Sequence, residues 1–116
     1  MKEDATLLQI LEKSHRPMSA VELIESLGFH KTTIYRQLAK LVEDREIREV
    51  LLSDGVIRYE IDDGSHHHHL LCQKCGSVDN VRLSSEAAVL TEIMERSNYK
   101  IKNHLIEFSG ICPNCQ

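Results

Sequence analysis

Two Cys-x-x-Cys pairs, Cys72-Gln73-Lys74-Cys75 and Cys112-Pro113-Asn114-Cys115, constrain this chain more than any other feature. If both pairs hold one ion, the intervening 36 residues must form a closed lobe that returns Cys112 to Cys72. Four thiolates complete a tetrahedron around Zn²⁺ at Zn–S distances of about 2.3 Å and leave no position for substrate or water, so such a site is structural. A thioredoxin-like redox reading would need one pair at a strand-to-helix junction of a βαβ unit, and two widely spaced pairs read instead as halves of one site. All four cysteines fall in such pairs, no secretory h-region opens the chain and no apolar run approaches the ~18 residues of a membrane span, which points to a reduced cytoplasm and no membrane partner. With 116 residues the chain is one ordinary domain or two very small ones that need a metal clip.

The N-terminal half carries helical periodicity with clear punctuation. Leu7, Leu8, Ile10 and Leu11 define a first helix that ends before His15-Arg16-Pro17. Ser19-Ala20-Val21-Glu22 has the form of a capping box and opens a second helix with Val21, Leu23, Ile24 and Leu27 as its apolar members, stopped by Gly28. A third helix is expected from about Thr32 to Asp44, with Ile34, Leu38 and Leu41 facing inward. Its other face presents Thr33, Arg36, Gln37 and Lys40.

Helix, glycine turn and helix with a polar outer face is the helix-turn-helix arrangement, whose second helix can enter the DNA major groove. The pattern alone also fits a solvated three-helix core. The segment downstream of the third helix decides between them: Ile47–Leu52 and Val56–Ile61 are β-prone runs joined through Ser53-Asp54-Gly55, a hairpin signal, and three helices succeeded by a hairpin make a winged helix. Lys31, Arg36 and Lys40 on the helix and Arg58 at the wing are the cations expected against phosphates and bases, with Thr33, Tyr35 and Gln37 beside them. Bulk charge does not steer the chain to DNA, since its formal net charge is −4 and residues 1–61 hold nine Lys/Arg against eleven Asp/Glu. Contact with nucleic acid must therefore come from this local cluster, doubled by dimerisation.

Residues 62–65, Asp62-Asp63-Gly64-Ser65, read as a hinge between a DNA-binding domain, 1–61, and a metal-binding dimerisation domain, 66–116. In the second lobe His66–Leu71 and Val78–Leu83 read as strands around the first cysteine knuckle. Ser84 or Ser85 caps a helix to about Ser97 with a buried stripe of Ala87, Leu90, Ile93 and Met94, and Tyr99–Phe108 reads as a last strand. The fold class is thus α+β, a winged helix-turn-helix followed by a small α/β lobe with a four-cysteine zinc site.

His66-His67-His68-His69 leads directly into Leu70-Leu71-Cys72, so it belongs to the fold rather than to a tag. On a strand His66 and His68 share one face while His67 and His69 share the other, and one run can feed two sites. For His67 and His69 the nearest oxygen ligands are Glu60 and Asp62 or Asp63, in a site expected between the lobes. For His66 and His68 the partners are His104 and Glu86, within the second lobe.

The segments Thr33-Ile34-Tyr35-Arg36-Gln37-Leu38, Arg58-Tyr59-Glu60, the four histidines with Leu-Leu-Cys-x-x-Cys-Gly, Asn103-His104 and the final Cys-x-x-Cys together resemble the ferric uptake regulator family, from about Leu8 to the C-terminus. The resemblance implies a homodimeric winged-helix repressor that binds an operator when metal-loaded, with the four-cysteine zinc holding the dimerisation lobe. It implies Glu60, His67 and His69 as sensing ligands, and His66, His68 and His104 at a second regulatory site.

The chain departs from the family's pattern at several positions. Pro17 stands where many members carry a histidine, Asn80 where they carry an acidic ligand, His68 where an aspartate is common, and Leu7 where a basic residue is usual. Asp62 lies where zinc-uptake regulators often place a cysteine. A regulatory set of Glu60, Asp62, His67 and His69 favours Zn²⁺ and also accepts Fe²⁺.

The expected function is a metal-responsive repressor controlling metal uptake, with double-stranded operator DNA and a second copy as partners and no small-molecule substrate. Two tiny lobes offer no substrate cleft, which argues against an enzyme. The alternative is a winged-helix DNA-binding protein with structural zinc only.

Overall fold

The computed structural model describes residues 2–64 and 67–116, and the chain divides into two compact units, Met1–Ser65 and His66–Gln116. The histidine run's first member, His66, lies outside the described residues, as does Ser65.

In the first unit α1 (Lys2–Ser14), α2 (Ala20–Leu27) and α3 (Lys31–Glu43) pack around a sheet of β1 (Met18–Ser19), β2 (Ile47–Leu51) and β3 (Ile57–Ile61), in the order β1-β3-β2. The anticipated apolar positions make the core. Leu7 and Leu11, Leu23, and Ile34, Leu38 and Leu41 are almost completely buried, together with Ile47 and Tyr59. Burying each such aliphatic chain stabilises the unit by about 1.5–3 kcal/mol. Val21, expected inside, is exposed, and Ala20 takes the buried place one position earlier.

The capping box forms as expected. The Glu22 N–H donates to Ser19 Oγ at 3.2 Å, and the Ser19 N–H donates to Glu22 Oε1 at 3.1 Å. An N-cap residue must be extended, and Ser19, at φ −78° and ψ 164°, is extended enough to pair in β1 as well. Met18 and Ser19 stand opposite Tyr59 and Arg58 of β3, forming a strand too short to show any period in sequence. Gly28 closes α2 in the left-handed region at φ 72°. At the head of α3 the cap is a histidine, whose Nδ1 accepts from the Thr32 N–H at 3.2 Å.

β2 and β3 pair antiparallel from Ile47 opposite Ile61 to Leu51 opposite Ile57. The wing turn between them is held from within. Asp54 Oδ1 accepts from the Val56 N–H at 3.1 Å, and the Gly55 N–H donates to the Leu52 carbonyl at 3.0 Å with Gly55 at φ 79°.

In the second unit β4 (His68–Cys72) is central, with β5 (Val78–Val81) antiparallel on one side and β6 (Glu107–Gly110) parallel on the other. Helix α4 (Glu86–Ser97) lies between β5 and β6 in sequence. The last strand is much shorter than the expected Tyr99–Phe108, and residues 99–106 have no regular structure. No residue of α4 is buried: Ala87, Ile93 and Met94 are exposed and Leu90 is only half-buried. The helical period of the stripe is real, but this single chain offers no described surface to cover it.

Candidate metal centres and candidate nucleic-acid interface

The four cysteines converge. Their Sγ atoms all lie within 4.8 Å of one another, and those of Cys75 and Cys112 are 3.8 Å apart. A tetrahedron with Zn–S of about 2.3 Å has S···S edges of about 3.8 Å, so the spacing suits zinc. Backbone geometry explains the convergence. Cys72 ends β4, and its carbonyl accepts from the Gly76 N–H at 2.9 Å, curling the first pair into a knuckle. The Gln73 N–H donates to the Gly110 carbonyl at 2.8 Å, which brings the end of β6 and the second pair alongside. Cys115 follows in a 3-10 turn, where its N–H donates to the Cys112 carbonyl at 3.0 Å.

The four thiols are electrostatically unequal. Cys72 Sγ accepts from the N–H groups of Cys112 and Cys75, each at 3.4 Å, and these two donors bring its thiol down to about 6. Contact with Ser77 lowers Cys75 as well. Cys115 is pushed up to about 12 by the neighbouring sulfurs, Cys112 first and then Cys75. Cys72 is therefore the readiest thiolate, whereas a negative sulfur at Cys115 is opposed until a cation stands among them. That is the expected donor set for a site whose loading releases protons.

A second constellation is built from nitrogen and oxygen. His68 on β4, Glu86 at the first position of α4 and His104 ahead of β6 offer ligand atoms within 4.8 Å of one another. His68 Nε2 lies 3.0 Å from Glu86 Oε2, while Glu86 Oε1 meets His104 Nε2. The carboxylate thus bridges two imidazoles whose centroids are 5.7 Å apart. It stands in the first turn of α4, where the helix N-terminus attracts a carboxylate. Two imidazoles and a carboxylate are an open ligand set for a divalent ion, and His68 is almost fully buried.

On the other face of β4, His67 and His69 stack edge to face with centroids 5.3 Å apart. His69 has Asn80 opposite it on β5 and Glu107 opposite it on β6. Glu107 is absent from the expected ligands, because its proximity arises from the parallel pairing of β4 with β6, which no local sequence signal marks. In the first unit Glu60 and Asp62 share one cation, Arg48. Its Nε donates to Glu60 Oε2 at 2.7 Å, and its Nη1 lies 3.7 Å from Asp62 Oδ1.

Of the residues expected to face DNA, Lys31, Tyr35, Arg36 and Lys40 are exposed on α3, while Thr33 and Gln37 are half-buried. Arg58 is a correction. Only 4% of it is exposed, and its guanidinium is forked onto Asp54, with Nη1 to Oδ1 at 3.1 Å and Nη2 to Oδ2 at 2.8 Å. Its position on β3, paired on both sides by Val50 and Ser19, takes it away from the wing's solvent edge.

Residues 3–109 match the model of the ferric uptake regulator family. The chain belongs to that family. Its members are metal-responsive transcription regulators. The ferric uptake regulation protein of Bacillus subtilis (strain 168) is 34% identical over 98% of this chain and 82% of its own length. Among solved structures, the Helicobacter pylori ferric uptake regulator, which has three functional metal-binding sites, superposes with a TM-score of 0.83. It is 22% identical and covers 99% of this chain and 80% of its own. A zinc-bound manganese uptake regulator gives a TM-score of 0.84 at 24% identity, over 97% and 89% of the two chains. These two likenesses show the winged-helix and α/β fold.

Against this family the chain's departures have structural places. Pro17 is fully buried, Leu7 is in the core and Asn80 is exposed beside the register position of His69. No helix among the described residues is long and apolar enough to cross a membrane.

Proposed function

We propose that the protein is a metal-gated transcriptional repressor of the cytoplasm, a homodimer that holds operator DNA through α3 when a second divalent ion is bound and releases it when that ion is lost. The observation that carries this reading is the pairing, inside one small unit, of a closed four-sulfur cluster with a separate nitrogen–oxygen constellation, His68, Glu86 and His104. The sulfur set of Cys72, Cys75, Cys112 and Cys115 holds zinc permanently. The nitrogen–oxygen set is the exchangeable one, and only an exchangeable site reports on supply.

The regulatory ligands are Glu60, Asp62, His67 and His69, with His66, His68, Glu86 and His104 as the second set. Imidazole and carboxylate donors favour Zn²⁺ over Fe²⁺ in this chain. Residues 62–65, with Gly64 at φ 77°, are the hinge between the DNA-binding part, 1–61, and the metal-binding part, 66–116. A bound ion selects one arrangement of the two. Lys31, Thr33, Tyr35, Arg36, Gln37 and Lys40 make the DNA contacts.

The homodimer is supported by apolar side chains left open in one copy. Val89, Ile93, Tyr99, Leu105 and Phe108 are each more than 40% exposed, more than an isolated small protein leaves uncovered without a use. A second copy covers them.

The test is metal content after anaerobic exposure to equal Zn²⁺, Fe²⁺, Mn²⁺ and Ni²⁺ and dialysis, followed by DNA selection from a random pool with and without the second ion. Two or more ions per chain and metal-dependent DNA retention support the reading. One zinc per chain with metal-independent retention favours a DNA-binding protein with structural zinc only, which the burial of Pro17 at a usual ligand position would explain.

A further inference from the structure

The geometry points to Arg48 as a built-in cation that competes with metal for the carboxylates of Glu60 and Asp62. Arg48 and Glu60 are cross-strand partners on β2 and β3, so sheet register places their side chains on one face. The Nε–Oε2 contact of 2.7 Å is a charge-assisted hydrogen bond, and Asp62, held by donation of its N–H to the Glu46 carbonyl at 3.0 Å, lies 3.7 Å from the same guanidinium. The Glu60 side chain is only 6% exposed. A carboxylate this buried requires compensating charge, and Arg48 supplies a positive partner.

A metal on a Glu60 oxygen, at about 2.0–2.2 Å, would stand within about 5 Å of the guanidinium. Two cations that close to one buried carboxylate repel strongly, since little water screens them. A metal on Glu60 therefore binds against the repulsion of Arg48 unless the guanidinium turns away, and the Arg48 side chain, 30% exposed, has a route to solvent. The ion pair thus has two effects. Arg48 satisfies Glu60 in the metal-free state, which keeps the first unit stable without metal. It also lowers the affinity of the site, so metal binds only above a supply level fixed by the strength of this ion pair.

This inference rests on Glu60 and Asp62 being regulatory metal ligands, and the experiment separates the two. Full-length protein with its cysteine zinc retained, in a His104→Ala background that removes the other nitrogen–oxygen site, is titrated with Zn²⁺ against a chelator. The variants are Arg48→Met, Arg48→Gln, Arg48→Lys and Glu60→Gln, each checked for folding by circular dichroism. Removing the charge in Arg48→Met or Arg48→Gln should tighten zinc by about tenfold or more. Arg48→Lys, which keeps the charge, should stay within about threefold of the parent.

Melting supplies a second readout: Arg48→Met without the second ion should unfold at lower temperature than the parent and gain more from added zinc. Unchanged or weaker affinity in Arg48→Met and Arg48→Gln, with Glu60→Gln clearly weakened, overturns the competitor role and leaves the ligand assignment standing. If Glu60→Gln also binds zinc as the parent does, the ligand assignment itself falls and the inference falls with it.

Discussion

Asp54→Ala should destabilise the wing out of proportion to the exposure of the residue removed, because the charge it leaves behind is buried. The side chain of Arg58 is 5% exposed and that of Asp54 29%, with two hydrogen bonds between them. Losing one partner of a fully buried ion pair costs about 3–5 kcal/mol, and an exposed pair contributes about 0–1 kcal/mol. Solvent access to Asp54 places this pair between the limits, at about 1.5–3 kcal/mol, which includes the turn bond to the Val56 N–H. At about 4–8 °C per kcal/mol for a unit of this size, the melting temperature should fall by about 6–24 °C.

Native-state hydrogen exchange at the amides of β2 and β3 reads this unit alone. The double variant Asp54→Ala/Arg58→Met should recover much of the loss, since it removes the buried cation together with its carboxylate. The Arg58 guanidinium holds the Asp54 carboxyl below its ordinary value, so the stabilisation is complete above the unfolded-state value of about 3.9 and disappears as pH falls through the lowered folded value. Parent and variant should therefore converge in strong acid. A change below about 0.5 kcal/mol at neutral pH, or a double variant less stable than Asp54→Ala, would refute the assignment of Arg58 as a buried brace.

Three further outcomes are expected. Arg36→Ala should weaken binding to selected DNA and lower the slope of log K against log salt by about 0.9 if Arg36 neutralises a phosphate, with zinc content unchanged, whereas Arg58→Met should leave that slope alone. Opposite results in the salt titrations would return Arg58 to the DNA surface. His67→Ala combined with His69→Ala should abolish the metal dependence of DNA binding while elemental analysis still finds the cysteine zinc; a retained response would place the sensing ligands elsewhere. Cys115→Ser should cost the cysteine zinc, and circular dichroism should then show loss of structure in the second unit, because that metal's binding energy is folding energy of order 10 kcal/mol.

The winged half was legible because its signals are local. A capping box, a left-handed glycine and an apolar 3.6 period act within one helix, so Ser19, Gly28 and the triplet Ile34, Leu38 and Leu41 do in the fold what their spacing implies. What escaped reading depends on pairing between distant segments. The β1 strand exists only because Tyr59 and Arg58 stand opposite it. Arg58 looked like a wing cation until the hairpin's register set it against Asp54. Glu107 reaches the neighbourhood of His69 only through a parallel pairing that crosses 38 positions of sequence.

The stripe on α4 marks a different limit. Its period signals a buried face, and burial in turn needs a partner surface, which periodicity cannot assign to the same chain or to another. Ile93 and Met94, 44% and 38% exposed, show that within the described residues the partner surface is missing. The metal centres divide along the same line. The cysteine cluster is covalently local at each end and was readable as two halves, whereas the histidine run became informative only when strand alternation sent His68 toward Glu86 and His104, and His69 to the other face. That alternation gives adjacent histidines different neighbours, so the two proposed sites can be tuned separately. His68 faces a carboxylate at a helix start. Glu60 faces a guanidinium, and the Arg48 variants test whether that ion pair sets the proposed regulatory affinity.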